Sequence, residues 1–288
     1  MLKKTVFSLL LSFGFFCIKA QQTIPFRVTK YNNIIVKTLV NKKDSLDLMF
    51  QIAMKDGAIS PERQRKADHI IFNKEEISEH NTVDIGSMSW GDITFTDNQL
   101  AGLEADGKIG TGLFEGKIFK IDYDSNQFVI YNQKPDLKGF QPIKITFENE
   151  VFHISGDNVI DGDKQQGTYF VLQSGYSGGI LYSNDFAEKY DLNKKLKIIG
   201  EKTLKNSSNK LLVIKQGILP SFKLGDFVFR EAPVGFFAGD LKNQNVSYFG
   251  ADMMRRFIWI FDADRKVAYI KPSKYYSEPY YKLNSKHS

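Results

Sequence analysis

At 288 residues, with 39 Lys and Arg against 33 Asp and Glu, the chain carries a net charge of +6 that is scattered instead of gathered into a basic stripe. That spread argues against a nucleic-acid partner. Its one cysteine, Cys17, excludes an intrachain disulfide, so stability rests on apolar burial, and a chain of this size buries roughly 70% of the surface its unfolded form exposes.

Residues 1–20 read as a secretory signal peptide. Lys3 and Lys4 precede an apolar run from Val6 to Ile18, which stops at Lys19-Ala20-Gln21. At about 13 residues, against the ~20 needed to cross a bilayer, the run is too short for a spanning helix. Gly14-Phe15-Phe16 ahead of Cys17 is too bulky for a lipoprotein signal. Beyond the leader no cysteine remains, and Lys3, Lys4 and Lys19 take half of the net charge with them. The expected destination is the periplasm or the cell exterior.

The rest of the chain alternates short apolar runs with turn clusters. Ile34 to Val40, Leu46 to Phe50, Ile118 to Asp122, Phe128 to Tyr131 and Thr168 to Leu172 are rich in Val, Ile, Phe, Tyr and Thr. Between them lie clusters such as Asn41-Lys42-Lys43-Asp44 and Asp124-Ser125-Asn126. This punctuation predicts an all-β chain. Helical signals are few: Ser183 to Tyr190, capped by Ser183 or Asn184, and short turns after Ser60 and near Leu113.

An internal repeat fixes the architecture. Gly110-Thr111-Gly112-Leu113-Phe114 through Asp122-Tyr123-Asp124 aligns without a gap, at an offset of 140, with Gly250-Ala251-Asp252-Met253-Met254 through Asp262-Ala263-Asp264. Phe128-Val129-Ile130 then matches Ala268-Tyr269-Ile270. Upstream, Leu48-Met49-Phe50-Gln51-Ile52-Ala53 matches Phe170-Val171-Leu172-Gln173-Ser174-Gly175. Any two hairpins with Asp turns look alike, and Asp122 and Asp262 read as structural turn residues. The shared order of two segment pairs nevertheless points to duplication.

In this arrangement the chain resembles the pepsin-like and retropepsin-like aspartic proteases, especially two-lobed bacterial members. The resemblance runs from about Ile24 to Pro272. Each lobe of that family supplies a strand ending in Asp-Thr-Gly or Asp-Ser-Gly and a later apolar-apolar-Gly segment behind it. Here Phe50 and Leu172 end the strands, and Ile109-Gly110 and Phe249-Gly250 stand in the later segment. The triplets are Gln51-Ile52-Ala53 and Gln173-Ser174-Gly175, so glutamine occupies both catalytic positions. The family's chemistry needs two carboxylates sharing a proton. Glutamine does not titrate, and two facing carboxamides are expected to bond one another instead.

Other residues are candidates for rescue. Asp56-Gly57-Ala58 mimics the family triplet but would shift the loop by five residues and break its match to the second copy, which favours an exposed turn acid. Gly175-Tyr176-Ser177-Gly178-Gly179 fits a serine-nucleophile elbow, yet only His287 follows Ser177. His69, His80, His153 and His287 lack ligand spacing, so no metal or other cofactor is expected. The resemblance implies a flap between Ser78 and Gly102, with Trp90 as lid or as core packing, and Tyr176 as a second cleft candidate.

The resulting expectation is two similar β-barrel lobes with an aspartic-protease-like fold. A leader (1–20) precedes an N-terminal lobe (21–140), a C-terminal lobe (141–272) and a Tyr-rich tail (273–288). The expected function is a pseudoprotease that binds an extended peptide or partner chain in its interlobe cleft. An active peptidase using Asp56, a serine hydrolase at Ser177 and a ligand-free scaffold are the alternatives. Two lobes in one chain need no dimer to build a cleft, so a monomer is expected.

Overall fold

The computed structural model describes residues 21–162, 164–205, 211–239 and 243–281. The leader, Cys17, His287 and the end of the tail lie outside them.

The first strands, β1 (Gln22–Pro25) and β2 (Arg27–Val28), lead into the hairpin of β3 (Ile34–Val40) and β4 (Asp44–Phe50). Its turn places Asn41 and Lys42 at φ of 50° and 61°, in the left-handed region that asparagine tolerates best. Next come β5 (Gly57–Ile59), β6 (Ile77–Ile85), β7 (Met88–Thr96) and β8 (Gly107–Ile109). β8 runs parallel to β4 and antiparallel to β5. β7 runs parallel to β5 and antiparallel to β6, and β6 returns to β3. Six strands thus close a barrel. A 3-10 turn (Thr111–Phe114), β9 (Ile118–Asp122) and β10 (Gln127–Tyr131) follow.

The second half repeats the plan with β11 (Gln141–Glu148), β12 (Val151–Val159), β13 (Gln165–Gln173) and β14 (Ile180–Leu181). It continues through α1 (Asn184–Lys189), α2 (Leu192–Lys195), β15 (Lys197–Lys205), β16 (Leu211–Leu224), β17 (Phe227–Phe237) and β18 (Ser247–Gly250). α3 (Ala251–Met254), β19 (Phe257–Phe261) and β20 (Val267–Pro272) complete it. β18 runs parallel to β13 and antiparallel to β14. β17 runs parallel to β14 and antiparallel to β16, and β16 returns to β12. Strand for strand, this is the first barrel again.

The register carries the duplication to single residues. β9 and β10 pair Phe119 with Ile130, and β19 and β20 pair Trp259 with Ile270. β9 also pairs with β19, matching Ile121 to Trp259, Lys120 to Ile260 and Phe119 to Phe261, a pairing that maps onto itself under the repeat. One six-stranded run, β1-β10-β9-β19-β20-β11, therefore ties the halves together. Asp122 and Asp262 do turn work in both copies: Oδ1 of the first accepts from Asp124 N and Ser125 N, that of the second from Lys266 N and Val267 N.

The core is aromatic and continuous across the junction. Phe114 stacks on Phe119, Phe119 on Phe261 and Phe261 on Trp259, and all four are fully buried. Each such side chain contributes about 2–3 kcal/mol by leaving water.

The halves also differ. α1 is the expected helix, with Ser183 as its cap and Asp185 in its first turn, whereas α2 and α3 were not anticipated because four-residue helices leave no periodicity to read. Among the described residues β15 has no counterpart in the first barrel, where residues 60–76 hold no strand. No described helix is long and apolar enough to cross a membrane.

Candidate functional site

The site forms where β4 and β13 end. Each strand is held from behind by a parallel neighbour, Phe50 opposite Ile109 and Gln173 opposite Gly250. Gln51 N also donates to Ile109 O at 3.0 Å. The loop after each strand is stitched down in the same way. Thr111 N donates to Met54 O and Ala251 N donates to Tyr176 O, both at 2.8 Å. Glycine is required behind the loops: a Cβ at Gly110 would strike the Met54 and Lys55 carbonyls, and one at Gly250 the Gly178 carbonyl.

These constraints bring Gln51 and Gln173 together. Both are half-buried, and both side-chain oxygens turn to Gly175. A Cβ built on Gly175 would lie 2.8 Å from Gln51 Oε1 and 3.2 Å from Gln173 Oε1, so the two amide oxygens are at most about 6 Å apart. Gly175 N donates to Gln173 Oε1 at 3.2 Å. The expected amide-to-amide bond is not present; Gln173 Oε1 bonds the adjacent backbone N–H.

The loops are also bonded across the barrel boundary. Ser174 Oγ accepts from Ile52 N at 2.9 Å and donates to Phe50 O at 2.8 Å. Ala53, half-buried beside buried Ile52, completes the first triplet and offers no hydroxyl of its own. Asn33 Nδ2 donates to Ser174 O at 2.8 Å and Asn32 Nδ2 to Ser177 O at 3.0 Å. Neither asparagine stood out in the sequence. The available signal was an Asn-Asn pair directly before a strand; in the structure Asn32 adopts a φ of 67°.

Asp56 precedes β5 and is half-buried, not an exposed turn acid. Desolvation raises its carboxyl above the usual range; Lys55 opposes the shift, while Glu150 and Glu115 add to it. Lys55, Glu115 and Glu150 line a cavity of about 230 Å³ with Arg265 and Phe147. Ser177 follows β13, but β14 rather than a helix comes next, so the strand-turn-helix of a serine elbow is missing. Among the described residues no histidine bonds Ser177: His69 pairs with Asp44 and His80 with Asp92.

Tyr176 packs its hydroxyl end toward Gly178 and Gly235, and burial pushes that hydroxyl above the ordinary tyrosine range. Trp90 lies on β7, packs against the core and donates Nε1 to Leu113 O at 3.0 Å, which is the packing role. The hairpin of β6 and β7 is what occupies the segment expected to hold a flap.

The Tyr-rich tail is held by Arg256 and Asp252. Arg256, 2% exposed, donates Nη1 to Tyr276 O at 2.9 Å and to Glu278 O at 2.8 Å, and its guanidinium lies over Tyr280. Asp252 accepts from Tyr281 N at 3.1 Å and pairs with Arg255 and Arg256. The tyrosines therefore pack onto the second barrel.

Two barrels of one topology, joined by a shared sheet and meeting at paired strand ends, define the aspartic-protease-like class of fold, and the chain has that fold. Among solved proteins it is similar to the aspartic proteinase from Irpex lacteus. The TM-score is 0.57 at 12% identity, over 90% of this chain and 99% of that one. At that identity the likeness carries the fold and no activity. No family model matches the sequence, and no curated protein matches it.

Proposed function

We propose that this is an exported, monomeric and non-catalytic protein of aspartic-protease-like fold that binds an extended peptide, or a segment of a partner chain, in the groove between its barrels. The observation that carries the reading is the convergence of Gln51 and Gln173 on Gly175. The strand ends, their rear supports and the interlobe bonds are all in place, yet the side chains at the meeting point are carboxamides.

An amide can neither take the proton from an attacking water nor return one to a leaving amine. Losing one general acid–base partner typically costs ~10²–10⁴-fold in rate; here both positions lack one. The architecture still favours an extended ligand, which would pair main chain to main chain and place alternate side chains in pockets. Asp56 is the rival acid; desolvation raises its carboxyl, with Lys55 opposing the shift and Glu150 and Glu115 adding to it.

The test is incubation of the purified protein, without its leader, with a broad peptide library from acid to neutral pH. The expected result is that peptides are retained but uncut. Cleavage abolished by Asp56→Asn would give the activity to the rival acid, and cleavage abolished by Ser177→Ala would give it to the serine.

A further inference from the structure

Strand alternation turns one lysine toward the site. On β4, Leu48 and Phe50 belong to the main core, while Met49 between them packs outside it with Ile35 and Ala105. Gln51, the next alternate residue, continues the Met49 face to the strand end. On β8, Ile109 is likewise core, so Lys108 projects to the Met49 face. Its register partners are Met49 on β4 and Ala58 on β5, both buried. Lys108 thus stands on the wall that leads to Gln51.

Lys108 is half-buried beside these apolar neighbours, and among the described residues it has no hydrogen bond or ion pair. Burial alone acts on its ammonium and lowers it below the usual lysine range. Lys120 on β9 is the contrast: half-buried as well, it pairs with Asp122 at 2.8 Å and is raised. The acids around β8 and β5 are engaged elsewhere. Glu104 holds Arg27 and Asp106 holds Arg65, and Asp56 responds to Lys55, Glu150 and Glu115, not to Lys108.

We infer that Lys108 supplies the charge recognition of the groove: it binds an acidic side chain, Asp or Glu, of an extended peptide. The countercharge that the protein does not provide comes from the ligand. Folding has already removed part of the lysine's hydration, so a ligand carboxylate restores stabilisation to a charge that lacks it. The strand ends do not oppose this, since Gln51 and Gln173 are neutral. The inference rests on the proposed groove and names the class of peptide it takes.

The experiment screens the protein, without its leader, against extended peptides blocked at both ends and varied between Glu and Gln at each position. One position is expected to prefer Glu by about tenfold at low salt, and the preference should shrink as salt rises. Lys108→Met, which keeps an unbranched stem, should bind the Glu and Gln peptides equally, and the Gln peptide as the unaltered protein does, the non-additivity of a direct contact. Lys108→Arg should keep the preference. Because no internal partner is lost, Lys108→Met should leave the urea midpoint unchanged or raised; a clear fall would overturn the premise that the ammonium is unpaired.

If no position prefers Glu, or if the preference survives in Lys108→Met, the charge assignment is wrong and the groove stands. Retention that appears only with an unblocked C-terminus would give the lysine to a terminal carboxylate and overturn the side-chain assignment. If no peptide of either kind binds, groove and anchor fall together.

Discussion

Ser174 bonds across the barrel boundary to Ile52, the residue that stands at its own position in the other copy, 122 residues earlier. One hydroxyl serves Ile52 N and Phe50 O, and Ile52 has no hydroxyl to return the bond. The link between the strand-end loops is therefore one-sided. Ser174→Ala should leave a buried N–H and a buried carbonyl unpaired and cost about 2 kcal/mol. A lower urea midpoint at unchanged slope is the expected signature; an unchanged midpoint would show that water replaces the hydroxyl.

Gly175 and Gly250 should respond differently to the same methyl group. At Gly175 the new Cβ would meet the ends of two flexible amides, which can swing aside, so Gly175→Ala is expected to cost under about 1 kcal/mol while disturbing the peptide retention we propose. At Gly250 it would meet the Gly178 backbone carbonyl, which the strands hold in place, so Gly250→Ala should cost about 2–3 kcal/mol. Thermal unfolding of the two variants beside their peptide affinities separates the cases.

Acid should loosen the first barrel through Asp106. Burial raises its carboxyl, but the Asp47, Arg65 and Gln64 amides and the Arg65 guanidinium outweigh that and hold it below the usual carboxylate range. Its oxygens accept from Asp47 N at 2.9 Å, from Gln64 N and Arg65 N at 3.0 Å, and from Arg65 Nη1 at 2.8 Å. A lowered folded pKa gives stability that is present above the unfolded value near 3.9 and is lost as pH falls through the folded one. Asp106→Asn should be less stable at neutral pH and show a smaller loss between pH 5 and 2. Parallel acid unfolding curves for the two proteins would refute this.

The tail should be a structural part of the second barrel. Ending the chain at Lys274 removes the Tyr276 and Glu278 carbonyls from a buried Arg256, leaving a guanidinium with Asp252 as its remaining acceptor. The expected cost is at least about 2 kcal/mol, read as a fall in the urea midpoint. A truncated chain as stable as the full one would make the tail an appendage.

Much of the fold was legible because its determinants are local. The Asp122 and Asp262 turns, the apolar runs of β9 and β19 and the glycines of Gly110 and Gly250 each act within a few residues, so duplication left them visible as a repeat. Gln51 and Gln173 could be named for the same reason, as the residues that end matching strands. The Asn32 and Asn33 contacts could not, since they span 145 and 141 residues and nothing near either asparagine indicates its partner.

The sequence by itself determined that there are two like halves and that both strand ends carry a glutamine, because side-chain identity and strand periodicity are properties of short stretches. Only the tertiary structure decided where those amides point. Each has several rotatable bonds; the Gly175 N–H, delivered by the second barrel's loop, bonds the Gln173 oxygen, and both amide oxygens lie beside that glycine.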